Sequence, residues 1–473
     1  MTQLQVHDKA TRERIGEVPI AQRDDVDRAV TSAREAFGSW SAVPVVERAR
    51  LLFRYADALE RRREELALAV SRENGKILAD ARAEVRRGIE AVEFACGMPS
   101  LMMGDALPDV ARGIDSVSMR YPLGVCAGIT PFNFPAMIPL WMFPIAIAAG
   151  NTFVLKPSPQ TPLTSELLLA AARDCGFPSG IFSVVHGAAE TVEALIDHPD
   201  VAAVPFVGSS NVARLVQERA VGAHKRVQAL GGAKNYLVVM PDAVNRATRD
   251  AVISASFGGA GQRCLAGSVV IAVGEAGDTF VPMLVEAAAG IRLGRGADEG
   301  VEMGPVVSDE ALARIHGYVE RALTTSAVLC HPERSELSDR SRRTSSVPEG
   351  GAFSAPVIFD HVEPSNELAR DEIFGPVLAI VRAASLDEAI EIANRSRYGN
   401  ASSIFTKDGG SARNFAARIE VGMVGINVGV AAPMAFFPFG GVKDSIFGDL
   451  RCHGKDAIAF YTQQRVVISR WPS

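Results

Sequence analysis

The chain has 473 residues, 48% of them hydrophobic, with 49 Lys and Arg against 55 Asp and Glu and a formal charge of −6. A single core stops growing near ~250–300 residues, so this length calls for two large lobes. The mild charge, with no long basic run interleaved with aromatics, argues against a nucleic-acid groove; any anion site must be local.

The N-terminal "MTQLQVHDKATRERIGEV" carries charges within its first ten residues and no apolar stretch. It reads as neither a secretory signal nor a transit peptide, and a cytoplasmic location is expected. From Asp24 to about Phe94 apolar residues recur at three- and four-residue spacing between charges, which predicts helices. The apolar run Pro135–Gly150 contains three prolines and is too short for the ~20 residues of a bilayer span, so it reads as buried core rather than membrane. Short apolar runs then alternate with helical stretches: "TFVLKPS", "FSVVHG", "VAAVPFVGSS" and "NYLVVMPD". Such alternation predicts an α/β fold with a parallel sheet, and a second set beyond Gly232, including "SVVIAV", "SSIFTKDGG" and "GMVGINV", predicts a second α/β lobe. Ala327–Gly351 is polar and rich in Ser and Arg, and reads as a solvated loop without an assigned function.

Six cysteines, Cys96, Cys126, Cys175, Cys264, Cys330 and Cys452, show neither a Cys-x-x-Cys pair nor a His cluster, so no metal site and no disulfide framework is expected. Cys264 stands out in "FGGAGQRCLAGS", where Arg263 and backbone donors would favour a thiolate. A buried structural Cys is the commoner role for any one of the six. Asn133 in "GITPFNFP" is a neutral donor suited to an oxyanion, though Asn in a turn is most often turn chemistry. Lys156 closes an apolar strand, where it would hold ribose hydroxyls or phosphate, or equally would be solvated ahead of a Pro-rich turn. The Gly208-Ser209 turn precedes a helix beginning near Asn211 and offers N–H groups to a phosphate, or simply links strand to helix. Glu372 and Phe374 in "RDEIFGPV" would grip a ribose and shelve a planar ring, or lie on a surface loop.

Taken in order, "TPFNFP", "GNTFVLKPS", "FVGSS", "LGGAKN", "GQRC", "DEIFGPV" and "FPFGGVKDS" resemble the aldehyde dehydrogenase superfamily over nearly the whole chain. "KRVQALGGAKN", "EFACGMPSLMMGD" and "GDLRCHGKDAIAFYT" are similar in particular to its CoA-acylating branch, methylmalonate-semialdehyde dehydrogenase. The resemblance implies an NAD-binding, Rossmann-like lobe from 1–103 and 122–232, a catalytic lobe from 233–448, and a small oligomerisation flap from 104–121 and 449–473, assembled as a homodimer or homotetramer. It implies Cys264 as nucleophile and Asn133 as oxyanion donor. Lys156, Gly208, Ser209, Glu372 and Phe374, with Thr130 and Phe132 of the Thr-Pro-Phe-Asn turn, would bind the dinucleotide, and Arg87 and Arg263 the carboxylate of a malonate or methylmalonate semialdehyde. Where hydrolytic relatives carry a base ahead of Leu-Gly-Gly, this chain has Ala229, which implies that CoA rather than water releases the acyl group. A hydrolytic NAD(P)-dependent aldehyde dehydrogenase using another base is the alternative, and a catalytically silent relative a further one. Pro159 stands where relatives often have a ribose-gripping Glu, so NADP stays open beside NAD. The family's first β-hairpin is not expected at this N-terminus.

Overall fold

The structure is a computed structural model and describes residues 2–331 and 350–471. Contrary to expectation it opens with an antiparallel hairpin, Gln3–His7 against Arg14–Pro19. The signal is weak because this hairpin is mostly exposed and poor in β-branched residues. What shapes its turn is the Asp8 carboxylate, which accepts from the N–H groups of Ala10 (2.9 Å) and Thr11 (3.2 Å).

The expected helices follow at Arg23–Ala42, Val45–Arg61, Arg63–Asn74 and Leu78–Cys96. The third ends at Gly75, whose φ of 96° lets its N–H close back on Ser71. The proline-containing run forms the helix Met137–Ala148, buried from Ile138 to its end. It packs closely on Leu78–Cys96 because Gly88 has no side chain; a Cβ there would lie 2.6 Å from Leu140 Cδ1.

Two sheets carry the molecule. The first runs in the order Ile446–Phe447, Arg226–Leu230, Val201–Val207, Val125–Ile129, Thr152–Lys156, Phe182–Val184, and is parallel except for its first strand. The second runs Val328–His331, Val357–Asp360, Val377–Ala383, Gly267–Val273, Asn235–Val239, Ala401–Phe405, Met423–Ile426, and is antiparallel only at Val328–His331. Central strands such as Val125–Ile129 and Asn235–Val239 are buried throughout, as parallel sheets covered on both faces require. The supposed loop Ala327–Gly351 therefore begins with an edge strand; the remainder of it, 332–349, lies outside the described residues. A third sheet, Thr462–Arg470, Ile114–Pro122 and Ala106–Ala111, is antiparallel and stands apart with exposed apolar side chains, Val466 at 65% and Ile468 at 70%.

Candidate active site

The helix Arg246–Phe257 runs into Gly258, Gly259, Ala260 and Gly261, the last three at φ of 60°, 54° and 70°. Glycine is required here by space as well as by φ. A Cβ on Gly258 would meet the Arg263 guanidinium at 2.3 Å, and one on Gly261 the Gly375 carbonyl oxygen at 2.2 Å. This turn delivers Cys264 to the wall of a cavity of about 290 Å³. Its carbonyl is held by the side-chain amides of Asn235 and Asn400, each donating at 2.9 Å. Neither Asn was singled out from sequence, since they lie in different strand regions and meet only through the second sheet.

Asn133 lines the same cavity, and its Nδ2 donates to the Gln262 carbonyl at 3.0 Å. An amide nitrogen carries two hydrogens, so one remains for a ligand. A buried ion pair holds the turn. Lys76 Nζ donates to Glu84 Oε2 (2.6 Å) and to the Asn133 carbonyl (2.7 Å), while Glu84 Oε1 accepts from the N–H groups of Ala136 (2.8 Å) and Met137 (3.2 Å). This clamp also escaped sequence reasoning: its partners lie eight residues apart across a helix start, where no local spacing rule pairs them.

Asp80, Glu84, Arg87 and Glu90 follow one another at four- and three-residue steps, so one face of the helix Leu78–Cys96 builds a cavity wall. That spacing was the available signal that Arg87 faces a site rather than solvent. Three cations, Lys76, Arg87 and Arg263, meet three acids, Asp80, Glu84 and Glu90, among the lining residues. Arg263 is tied to Asp80 at 2.6 Å. Arg87 is held more loosely, by Glu90 at 3.3 Å and the Ala432 carbonyl at 3.2 Å. His453, given no role from sequence, lines the cavity as well.

The Cys264 thiol is pushed up to about 12, by burial first and by the Glu372 carboxylate second. Backbone donors and Arg263 act downward, as expected, but are outweighed. Ala229 is fully buried, paired with Phe206 and Phe447, and is not among the cavity-lining residues.

Lys156 ends its strand buried, and burial pushes it down to about 8. Beside it the Thr130 N–H donates to the Lys156 carbonyl (3.1 Å), and the buried Thr130 hydroxyl has no partner. The helix after the Gly208 turn begins at Ser210; Ser209 precedes it, exposed, with no capping bond from its side chain. Ser210 instead staples the next turn, donating to the Asp444 carbonyl (2.7 Å) and accepting from the Gly232 N–H (2.8 Å). Glu372 lies on the Leu-Gly-Gly turn, accepting from the Ala233 N–H at 2.9 Å; a Cβ on Gly232 would strike its carboxylate at 2.3 Å. Burial raises Glu372 and lowers the neighbouring Lys234 to about 7, and the Lys234 ammonium has no hydrogen-bond partner. Phe374, at φ of 53°, meets Phe132 edge to face at 5.8 Å. The unpaired Thr130 hydroxyl and the buried Lys156 at its strand end fit a dinucleotide's hydroxyl and phosphate groups.

A model of the "Aldehyde dehydrogenase family" matches residues 1–467. The chain belongs to the aldehyde dehydrogenase family. It is 50% identical over 465 residues to malonate-semialdehyde dehydrogenase 2 of Geobacillus thermodenitrificans, covering 98% of this chain and 95% of that one. Malonate-semialdehyde dehydrogenase 1 of the same organism is 49% identical over 466 residues, at 98% and 95% coverage. Among solved structures, the methylmalonate-semialdehyde dehydrogenase of Oceanimonas doudoroffii matches with a TM-score of 0.96 at 41% identity, covering 100% of this chain and 96% of that one. A Sinorhizobium meliloti protein, assigned to the same activity and solved with NAD, matches with a TM-score of 0.96 at 42% identity, covering 100% and 95%.

Proposed function

We propose that this aldehyde dehydrogenase oxidises malonate or methylmalonate semialdehyde with NAD and passes the acyl group to CoA, giving acetyl-CoA or propionyl-CoA, CO2 and NADH. The observation that carries this reading is the shared cavity, in which Cys264 and the Asn133 amide face a helix side bearing Arg87. Relatives near 50% identity bearing the malonate-semialdehyde name support it.

The Cys264 thiolate adds to the aldehyde carbon, and the second Asn133 N–H, with the Cys264 N–H, holds the developing oxyanion. Bound NAD would supply the hydride acceptor. Lys156, Thr130, Gly208 and Ser209 are the groups that would hold its adenosine and phosphate portions; Glu372 would take the second ribose, with Phe374 and Phe132 beside the ring. Arg87, the more loosely paired cation, receives the substrate carboxylate with two N–H donors, and Arg263 flanks the nucleophile. The product on Cys264 is an acyl thioester. With a β-carboxylate in place, loss of CO2 leaves its electron pair in the thioester carbonyl as an enolate, which is then protonated. The CoA thiol attacks the thioester and Cys264 leaves as thiolate. A thiol attacks a thioester with less help from a base than water needs. The exposed apolar flap sheet supports a homodimer or homotetramer. Among the described residues no helix is long and apolar enough to cross a membrane.

Purified protein with either semialdehyde and NAD, with and without CoA, tests this reading. Without CoA a single-turnover NADH burst is expected, and sustained NADH formation with an acyl-CoA product only when CoA is present. CoA-independent turnover to free acid would establish the hydrolytic alternative instead, and absence of even a single NADH burst would establish a silent relative.

A further inference from the structure

His453 is 3% exposed, lines the cavity, and has no hydrogen-bond partner on either ring nitrogen. Buried polar groups are nearly always paired, so an unpaired imidazole in a cavity wall calls for a ligand. The ring is fixed edge-on against Trp141 at 4.4 Å and tilted on Phe439 at 5.9 Å, so aromatic packing rather than hydrogen bonding sets its place. Its backbone takes a φ of 70°, unusual for a residue other than Gly, at the start of the helix Gly454–Tyr461. Gly454 N–H donates to the Ala435 carbonyl (3.0 Å), and Cys452 and Phe439 exchange backbone bonds, which pins the segment against the loop that also carries Ala432.

Burial first and the Arg87 charge second push His453 down to about 3, so the ring is neutral at physiological pH and keeps one N–H donor. The charged lining residues balance three against three, and Arg87 is already shared with Glu90 and a carbonyl. A neutral donor would add grip on an anion without adding another charge for the acids to pair with.

We propose that His453 is a specificity-determining residue whose imidazole N–H donates to the substrate carboxylate beside Arg87. The assignment rests on the semialdehyde reading above.

The test compares wild type, His453→Phe and His453→Asn, measuring kcat/KM for malonate semialdehyde and for propanal, which lacks the carboxylate. Phe keeps a ring without a nitrogen; Asn keeps a donor and tolerates the left-handed backbone. The semialdehyde-to-propanal ratio is expected to fall roughly 10- to 100-fold in the Phe variant, chiefly through KM, and to recover in part in the Asn variant. A ratio unchanged in His453→Phe while wild type prefers the semialdehyde overturns this proposal alone. A wild type without that preference overturns the semialdehyde reading itself. If the Phe variant fails to fold, isotope-labelled histidine ring nitrogens in wild type decide the matter: 3-hydroxypropionate, an unreactive carboxylate, is expected to shift the His453 signal, and an unmoved signal refutes the proposal.

Discussion

Replacing Lys76 by Met would break the ion pair that holds the turn carrying Asn133. Lys76 Nζ lies 2.6 Å from Glu84, with side-chain exposures of 6% and 0%, so water can screen neither charge. Met keeps the length of the side chain but leaves the Glu84 carboxylate with two backbone N–H donors and no cation, and removing one partner of a buried pair costs about 3–5 kcal/mol. The Asn133 carbonyl also loses its donor, so the amide proposed to hold the oxyanion is freed to move. Urea denaturation followed by the fluorescence of Trp141, in the same cavity wall, reads the stability, and the single-turnover NADH burst reads the chemistry. Adding Glu84→Gln removes the stranded charge. The double variant is expected to be less destabilised than the sum of the singles, by more than about 1 kcal/mol. A Lys76→Met cost below about 1 kcal/mol, or strict additivity in the double variant, would refute the clamp.

Arg87→Ala is expected to raise the KM for a semialdehyde roughly 10- to 100-fold, and equal losses for propanal would remove its carboxylate role. Glu90→Gln frees Arg87 from a partly exposed partner at 3.3 Å and should lower that KM by about 2- to 5-fold; an increase would mean that Glu90 orients Arg87 rather than competing for it. With the Cys264 thiol pushed up to about 12, the thiolate fraction of the ligand-free protein should grow about tenfold per pH unit from neutrality upward. Iodoacetamide labelling of Cys264 across that range checks the slope, and a plateau near pH 8 would contradict the role given to burial and Glu372. Ala229→Glu places a carboxylate between Phe206 and Phe447, and overpacking alone costs about 1–3 kcal/mol, so a lowered melting temperature is expected before any gain in hydrolysis. Full stability with CoA-independent turnover would instead show that the side chain reaches the thioester.

The sequence by itself determined the two α/β lobes, through short apolar strands alternating with helices, and it isolated Cys264 by its Gly-rich approach and Asn133 by its proline-stiffened turn. These are local signals, written in neighbouring residues. The N-terminal hairpin escaped because its strands are exposed and its turn depends on one Asp8 carboxylate rather than on a Gly or Pro. Only the tertiary structure decided which charges stand free. Arg263 reads as an activating cation until Asp80, 183 residues away in sequence, is found bonded to it. Ala229 reads as a gap in the active site until its apolar neighbours are seen. His453 could not be told from any other histidine until Trp141, Phe439 and Arg87, from three other segments, were folded around it. Electrostatics and burial are sums over all groups nearby in space, and those groups come from distant parts of the chain.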